Sequence, residues 1–156
     1  MIEISPMEKG EERKVYELVV RTFHAHVAPV YTEEGVAKFL GMLSVDGLGE
    51  MRAGERSFAF NARERHDIVG MVSVINQSHI ALLFVDPDHQ QKGIGTGLIR
   101  DAIKECLDRN PDLSVITVSA SPNSKTFYEA AGFEAQGCEV DEDGMRFTLM
   151  KKVLAI

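Results

Sequence analysis

The stretch from Val85 to Gly97 reads VDPDHQQKGIGTG, and its residue types and spacing could do chemistry. Gly93 and Gly95 stand where a strand-like apolar run gives way to a helical pattern. A turn free of side chains there exposes successive backbone N–H groups at a helix N-terminus, and such groups hold an anion, phosphate above all. The helix dipole contributes about half a positive charge, and Lys92 supplies a full one beside it. Two other phosphate-binding turns fail on the letters. A dinucleotide fingerprint G-x-G-x-x-G needs glycine where Leu98 stands, and the nucleoside-triphosphate pattern G-x-x-x-x-G-K-[ST] is absent.

Periodicity gives the elements that must position this turn. Ile2, Ile4 and Pro6 suggest a short first strand. From Glu11, Val15, Leu18, Val19, Phe23 and Val27 recur at helical spacing until Pro29. A second helix follows Thr32 as its N-cap, with Glu33 and Glu34 in its first turn, and carries Val36, Phe39, Leu40 and Leu43. The period then becomes two. Arg56 to Ala62, Ile68 to Ile75 and Ile80 to Val85 read as an antiparallel meander. A helix through Leu98, Ile99, Ala102, Ile103, Cys106 and Leu107 leads to a strand from Leu113 to Ala120, and a crossover helix between two strands makes them parallel. Ser124 to Ala131 reads as a short helix closed by Gly132, and Phe133 to Val140 with Met145 to Val153 as a hairpin around Glu142-Asp143-Gly144. The expected class is α/β (α+β): a mixed, mostly antiparallel sheet of about seven strands with about four helices on its two faces.

The chain has 156 residues with no repeat or linker, so one domain is expected over 1–156. Its 24 acidic against 17 basic side chains give a net charge of -7, which argues against a nucleic-acid partner. Cys106 and Cys138 form no Cys-x-x-Cys pair and read as reduced thiols of a cytoplasmic protein. Met1 to Lys14 holds no secretory apolar core, and the longest apolar run, Ile80 to Val85, is strand-sized, so no membrane span is expected. His24 and His26, two apart on a helix, point to different faces, and no metal site is drawn from them.

Gln90-x-x-Gly93-x-Gly95, directly after a strand ending Val85-Asp86-Pro87, resembles the coenzyme A pyrophosphate loop of the GNAT superfamily of N-acetyltransferases. Ser121 to Phe133, SPNSKTFYEAAGF, resembles that family's second signature, an aromatic-Tyr-Glu followed by Gly-Phe at a helix end. Together with SHIALLFVDPDHQQKGIG and DEDGMRFTLMKK, these segments are similar to an uncharacterised bacterial branch of the superfamily. The resemblance implies a sheet splayed between its fourth and fifth strands and acetyl-CoA as co-substrate. The backbone of Leu83, Phe84 and Val85 would pair with the pantetheine arm. The pyrophosphate would lie on the amides of Gln91, Lys92, Gly93, Ile94, Gly95 and Thr96, with Gln90 at the family's Gln/Arg position. Ser119 and Asn123 are the candidates for a further pantetheine contact.

The same resemblance gives Tyr128 the role of protonating the departing thiolate, which suits a phenol whose ordinary pKa near 10 keeps it protonated. A base must also take a proton from the amine. Some family members place a glutamate six residues before the strand's terminal apolar residue, and counting back from Val85 reaches His79. Strand alternation would put His79 on one face with Ala81, Leu83 and Val85. Asp86 is a weaker candidate, being a turn residue before Pro87. The two N-terminal helices and the last hairpin would line the acceptor site, bringing His24, His26, Tyr31, Glu33 and Glu34 near it. There they would join Glu139, Asp141, Glu142 and Asp143 in attracting a cationic amine, unless these acids are only solvated faces and a polar turn.

The implied reaction is direct attack of a primary amine on the thioester, the carbonyl polarised by a backbone N–H near Val85. Neither cysteine lies in a motif, so no covalent intermediate is expected. A small-molecule amine is the favoured acceptor. A protein N-terminus or lysine, in an open groove, and a non-catalytic acyl-CoA-binding regulatory module are the alternatives. Members of the family pair through their last strands, so Phe147, Leu149, Met150 and Val153 here either form a homodimer surface or complete the core.

Overall fold

The computed structural model describes residues 1–154. Its strands are β1 (Ile2–Pro6), β2 (Phe58–Glu64), β3 (Asp67–Ile75), β4 (His79–Val85), β5 (Val115–Ala120), β6 (Glu134–Ala135), β7 (Val140–Glu142) and β8 (Met145–Val153). Its helices are α1 (Glu12–His26), α2 (Glu33–Met42), α3 (Val45–Ala53), α4 (Ile94–Arg109) and α5 (Lys125–Ala130). The sheet runs β1-β2-β3-β4-β5-β8-β6, with β7 also on β8. Among the described residues β4 and β5 form the parallel pair, as the crossover through α4 requires, and the other pairings are antiparallel. No helix of the described residues is long and apolar enough to cross a membrane.

Each sheet face is covered because each strand alternates. On one face Phe58, Phe60, Val72, Val74, Ile80, Ile116 and Met150 pack under the stripe of α4, Ile94, Leu98, Ile99, Ala102 and Cys106. On the other, Ala59 and Met71 meet Val15, Leu18 and Val19 of α1 and Leu48 of α3. Burying one such aliphatic side chain stabilises the fold by about 1.5–3 kcal/mol.

Three local features depart from the sequence expectation. The first is α3, an element that helical spacing does not announce because Gly47 and Gly49 dilute its signal. Tertiary contacts override that propensity: Ser44 caps the helix by accepting from Gly47 N–H at 2.9 Å, Leu48 is fully buried, and Arg52 Nε donates to Glu12 Oε2 at 3.0 Å. The second is the last hairpin, whose first strand breaks into β6 and β7, giving eight strands. Between Ala135↔Met150 and Val140↔Phe147 the first strand advances farther than its partner, so two residues bulge out around Gly137, whose φ is 156°.

The third feature shapes the site. Ser73 faces Leu82 while Val74 faces Ile80, leaving Ala81 as an extra residue in β4. An extra residue reverses the alternation, so Ile80, Leu83 and Val85 share the α4 face, whereas Leu82 and Phe84 face α1. His79 therefore lies on the face of Leu82 and Phe84, opposite to the face that uninterrupted alternation assigns it. Its Nδ1 lies 2.8 Å from Thr117 Oγ1. The same bulge opens the sheet. β4 and β5 are paired at His79↔Thr117 and Ile80↔Val118 and part beyond them.

Candidate active site

The strand edges that face across this gap are unpaired. Asp86 N–H donates to Val69 O of β3 at 2.8 Å. Counting back by two, Phe84 and Leu82 also direct their amides to β3, so those of Leu83 and Val85 face the gap. There Gln90 Nε2 donates to the Val85 carbonyl at 3.0 Å. Beneath the gap two hollows meet. A groove of about 400 Å³ is walled by Leu83, Phe84 and Val85, the turn from His89 to Thr96 without Lys92, Asn123 to Tyr128 in part, and Thr22 and His26 of α1 with Val27 just past its end. A smaller recess of about 90 Å³ continues past Leu83, Phe84, Ser124 and Tyr128 toward Phe23, Tyr31, Phe39, Leu82 and Ser119.

The turn before α4 has the shape its glycines foretell. Gln91 and Gly93 take left-handed conformations, φ 64° and 79°, and Gly93 caps the helix. A Cβ on Gly93 would meet no atom within 4 Å, so the space above it is open to a ligand, and glycine is favoured there by φ alone. Gly95 is different. A Cβ there would stand 3.0 Å from Phe127 Cζ, so its absence lets the helix start close on α5.

Three polar atoms in the groove wall, Thr22 Oγ1, His26 Nε2 and His89 Nδ1, are buried without a hydrogen-bond partner. Buried polar groups are nearly always satisfied, so these three stand out among the side chains behind the groove surface. Asn123 Nδ2 donates to the His26 carbonyl at 2.7 Å, tying α1 to the start of α5. Asp86 fixes the far end of the strand. Burial acts to raise its pKa, but the Asp88 N–H and the Arg21 guanidinium 2.6 Å away hold it below the usual carboxylate range. Asp86 is thus a structural tie and a poor proton acceptor.

Tyr128 lines both hollows and is buried edge-on between Phe127 and Phe133, its ring centroid 5.2 Å and 5.4 Å from theirs. Burial pushes its pKa far above the ordinary phenol value, so it remains a proton donor at any working pH. His79 lines neither hollow. It lies half-buried at the closed end of the gap, and burial lowers its pKa.

The groove thus gathers Leu83, Phe84, Val85, Gln90, Gln91, Gly93, Ile94, Gly95, Thr96, Asn123 and Tyr128. Ser119 belongs to the recess, and Lys92 is exposed outside both hollows. Of the residues expected around an acceptor, His26 and Tyr31 line a hollow, while His24, Glu33, Glu34 and the β7–β8 turn do not. Two acids of the hairpin are ion-paired, Asp143 with Lys38 at 2.9 Å and Glu139 with Arg146 at 2.8 Å. Sequence reasoning missed Thr22, Val27, His89, Ser124 and Phe127. The aromatic beside Tyr128 was a readable signal for Phe127, whereas Thr22 and Val27 are indistinguishable from the packing positions of α1. Cys106 is buried in α4, its pKa pushed up to about 11 chiefly by burial, and Cys138 is exposed in the bulge before β7, so neither thiol reaches the site.

Residues 27–154 match the family model described as an acetyltransferase (GNAT) domain. The uncharacterized N-acetyltransferase YafP of Escherichia coli (strain K12) is 36% identical over 66 residues, 42% of this chain and 39% of that protein, so the match spans well under half of the relative's length. A GCN5-related N-acetyltransferase from Rhodopseudomonas palustris superposes with a TM-score of 0.84 at 24% identity, over 97% of this chain and 95% of that one. The PaiA N-acetyltransferase of Thermoplasma acidophilum, solved with coenzyme A, superposes with a TM-score of 0.79 at 20% identity over 99% of each chain. At these identities the two structures share the fold.

Proposed function

The chain belongs to the GNAT acetyltransferase family, and we propose on that premise that it transfers the acetyl group of acetyl-CoA to the nitrogen of a primary amine, a small molecule. The observation that carries the reading is the parted pair β4 and β5. The backbone of Leu83 and Val85, released from β5 and with the Val85 carbonyl taken up by Gln90, runs from an open helix N-terminus at Gly93 to the buried phenol of Tyr128. A pantetheine arm is a chain of amides that can pair with such an edge as a strand does, and a pyrophosphate is the anion a helix start holds. The side-chain oxygen of Asn123, whose Nδ2 is held by the His26 carbonyl, offers it a further hydrogen bond. Lys92 adds charge beside the pyrophosphate without touching the groove.

The recess beyond Tyr128 receives the amine. The neutral nitrogen attacks the thioester carbon, forming the C–N bond, while a gap-facing amide at Val85 polarises the carbonyl. The C–S bond then breaks, and the Tyr128 hydroxyl gives its proton to the departing thiolate and regains one from solvent. The proton lost by the ammonium passes through water to His79, which burial keeps neutral while making it a weaker base than an ordinary imidazole. Ser119, on the same sheet face, lies between the recess and Thr117.

Calorimetric titration with acetyl-CoA, with NAD and ATP as controls, tests the reading. Micromolar binding that a Gly93→Glu variant loses supports it, and free-thiol release on adding amines completes it. A chain that binds neither acetyl-CoA nor a longer acyl-CoA overturns it.

A further inference from the structure

The recess that would take the acceptor carries no charge. Phe23 and Phe39 stack at 4.1 Å between centroids and 9° between planes, Tyr31 meets Phe23 edge-on at 5.7 Å, and Phe84 closes on Phe39 at 6.3 Å. The polar groups of the wall are hydroxyls. Those of Ser121 and Ser124 bond each other at 2.8 Å, and burial raises the pKa of Tyr31, so that phenol also stays neutral. Among the described residues, no Asp, Glu, Lys, Arg or His lines the recess. The acids on the neighbouring surface lie outside it, Glu142 and Asp143 sharing Lys38 at 3.9 Å and 2.9 Å.

We propose that the acceptor is a monoamine whose amino-bearing carbon carries a compact apolar group, aliphatic or aromatic, and no second positive charge. The inference rests on the acetyl-transfer reading and names its substrate class. A reacting amine loses its charge on attack, but a second ammonium carried into this recess would be stripped of water with no carboxylate to replace it. An aromatic wall rewards the opposite partner, since apolar surface removed from water there is favourable without any counter-charge. The volume of about 90 Å³, the liquid share of about three water molecules, suits a compact apolar group.

The test separates the two readings. Acetyl-CoA binding is measured first, without acceptor. Thiol release is then compared for phenethylamine and isoamylamine against putrescine and spermidine. The expected result is a kcat/KM at least about a hundredfold higher for the monoamines, because the second ammonium is left unpaired. Ser119→Asp, an exposed position lining the recess, supplies the missing carboxylate and should raise putrescine turnover relative to phenethylamine by about tenfold or more. Acetyl-CoA binding followed by equal or better turnover of the polyamines, no turnover of any monoamine, or an unchanged ratio in Ser119→Asp overturns the proposal while leaving the cofactor reading intact. Absence of acetyl-CoA binding overturns both.

Discussion

His79 Nδ1 and Thr117 Oγ1 stand 2.8 Å apart across one of the two facing positions that join β4 to β5. Burial lowers the pKa of that imidazole, so the folded protein resists a proton that the unfolded chain accepts near pH 6.5. The unfolded state then binds more protons as pH falls. The stability gained from a neutral His79 is complete above about pH 6.5 and declines below it. Denaturant midpoints at several pH values should show wild type losing stability on acidification more steeply than His79→Gln. Identical slopes would remove His79 as the cause. If His79 also accepts the reaction's proton, the acidic limb of kcat lies below the ordinary histidine range and flattens in the variant.

Tyr128→Phe keeps the ring that packs between Phe127 and Phe133 and removes only the hydroxyl. The expected loss in kcat is on the order of a hundredfold, the usual contribution of a positioned general acid, with acetyl-CoA affinity changed less than about threefold. Calorimetry and initial rates on the same preparation read both. A variant with unchanged kcat would assign the tyrosine to packing.

Gly93 separates conformation from ligand contact. Alanine there has room but must adopt φ 79°, so Gly93→Ala should cost about 1 kcal/mol or slightly more in stability and weaken acetyl-CoA binding only modestly. Gly93→Glu adds a carboxylate at the proposed pyrophosphate position and should abolish binding. Thermal melts with titrations distinguish the two effects, and equal binding losses in both variants would mean that the turn's shape alone matters.

Gly35 of α2 lies against the backbone of Gly144, whose carbonyl also accepts from Thr32 N–H at 3.2 Å. A Cβ on Gly35 would collide with that carbonyl, and neither backbone can step aside like a flexible side chain. Gly35→Ala should cost about 1–3 kcal/mol, as overpacking does, read from urea unfolding. Because α2 also carries Phe39, the acceptor KM should rise while acetyl-CoA affinity holds.

The sequence was most legible where one local pattern decides one local structure. The Gly93 turn, the α4 stripe from Leu98 to Cys106 and the crossover to β5 all followed from spacing. Gly132 likewise ends the short α5 segment with a φ of 95°. What escaped is set by contacts distant in sequence. The α3 helix depends on Leu48 meeting the sheet and on Glu12 meeting Arg52. The extra residue at Ala81 is invisible in SHIALLFV because either register of that run is apolar on both faces, and it alone reverses the side on which His79 lies. The charge-free lining of the recess was likewise hidden, because the acids of the last hairpin lie outside it, where Asp143 pairs with Lys38 and Glu139 with Arg146.

The gap opened at Ala81 also bears on how the protein behaves without its ligand. Most sheets keep their unsatisfied strand borders at the rim, where twist, charge and covering loops discourage another chain from pairing there. Here two such borders face each other in the middle of the sheet, flanked by apolar Leu82, Leu83 and Phe84. A ligand-starved molecule therefore offers a slot for a foreign extended segment, and acetyl-CoA should act on this chain as a guard against self-association as well as a reactant.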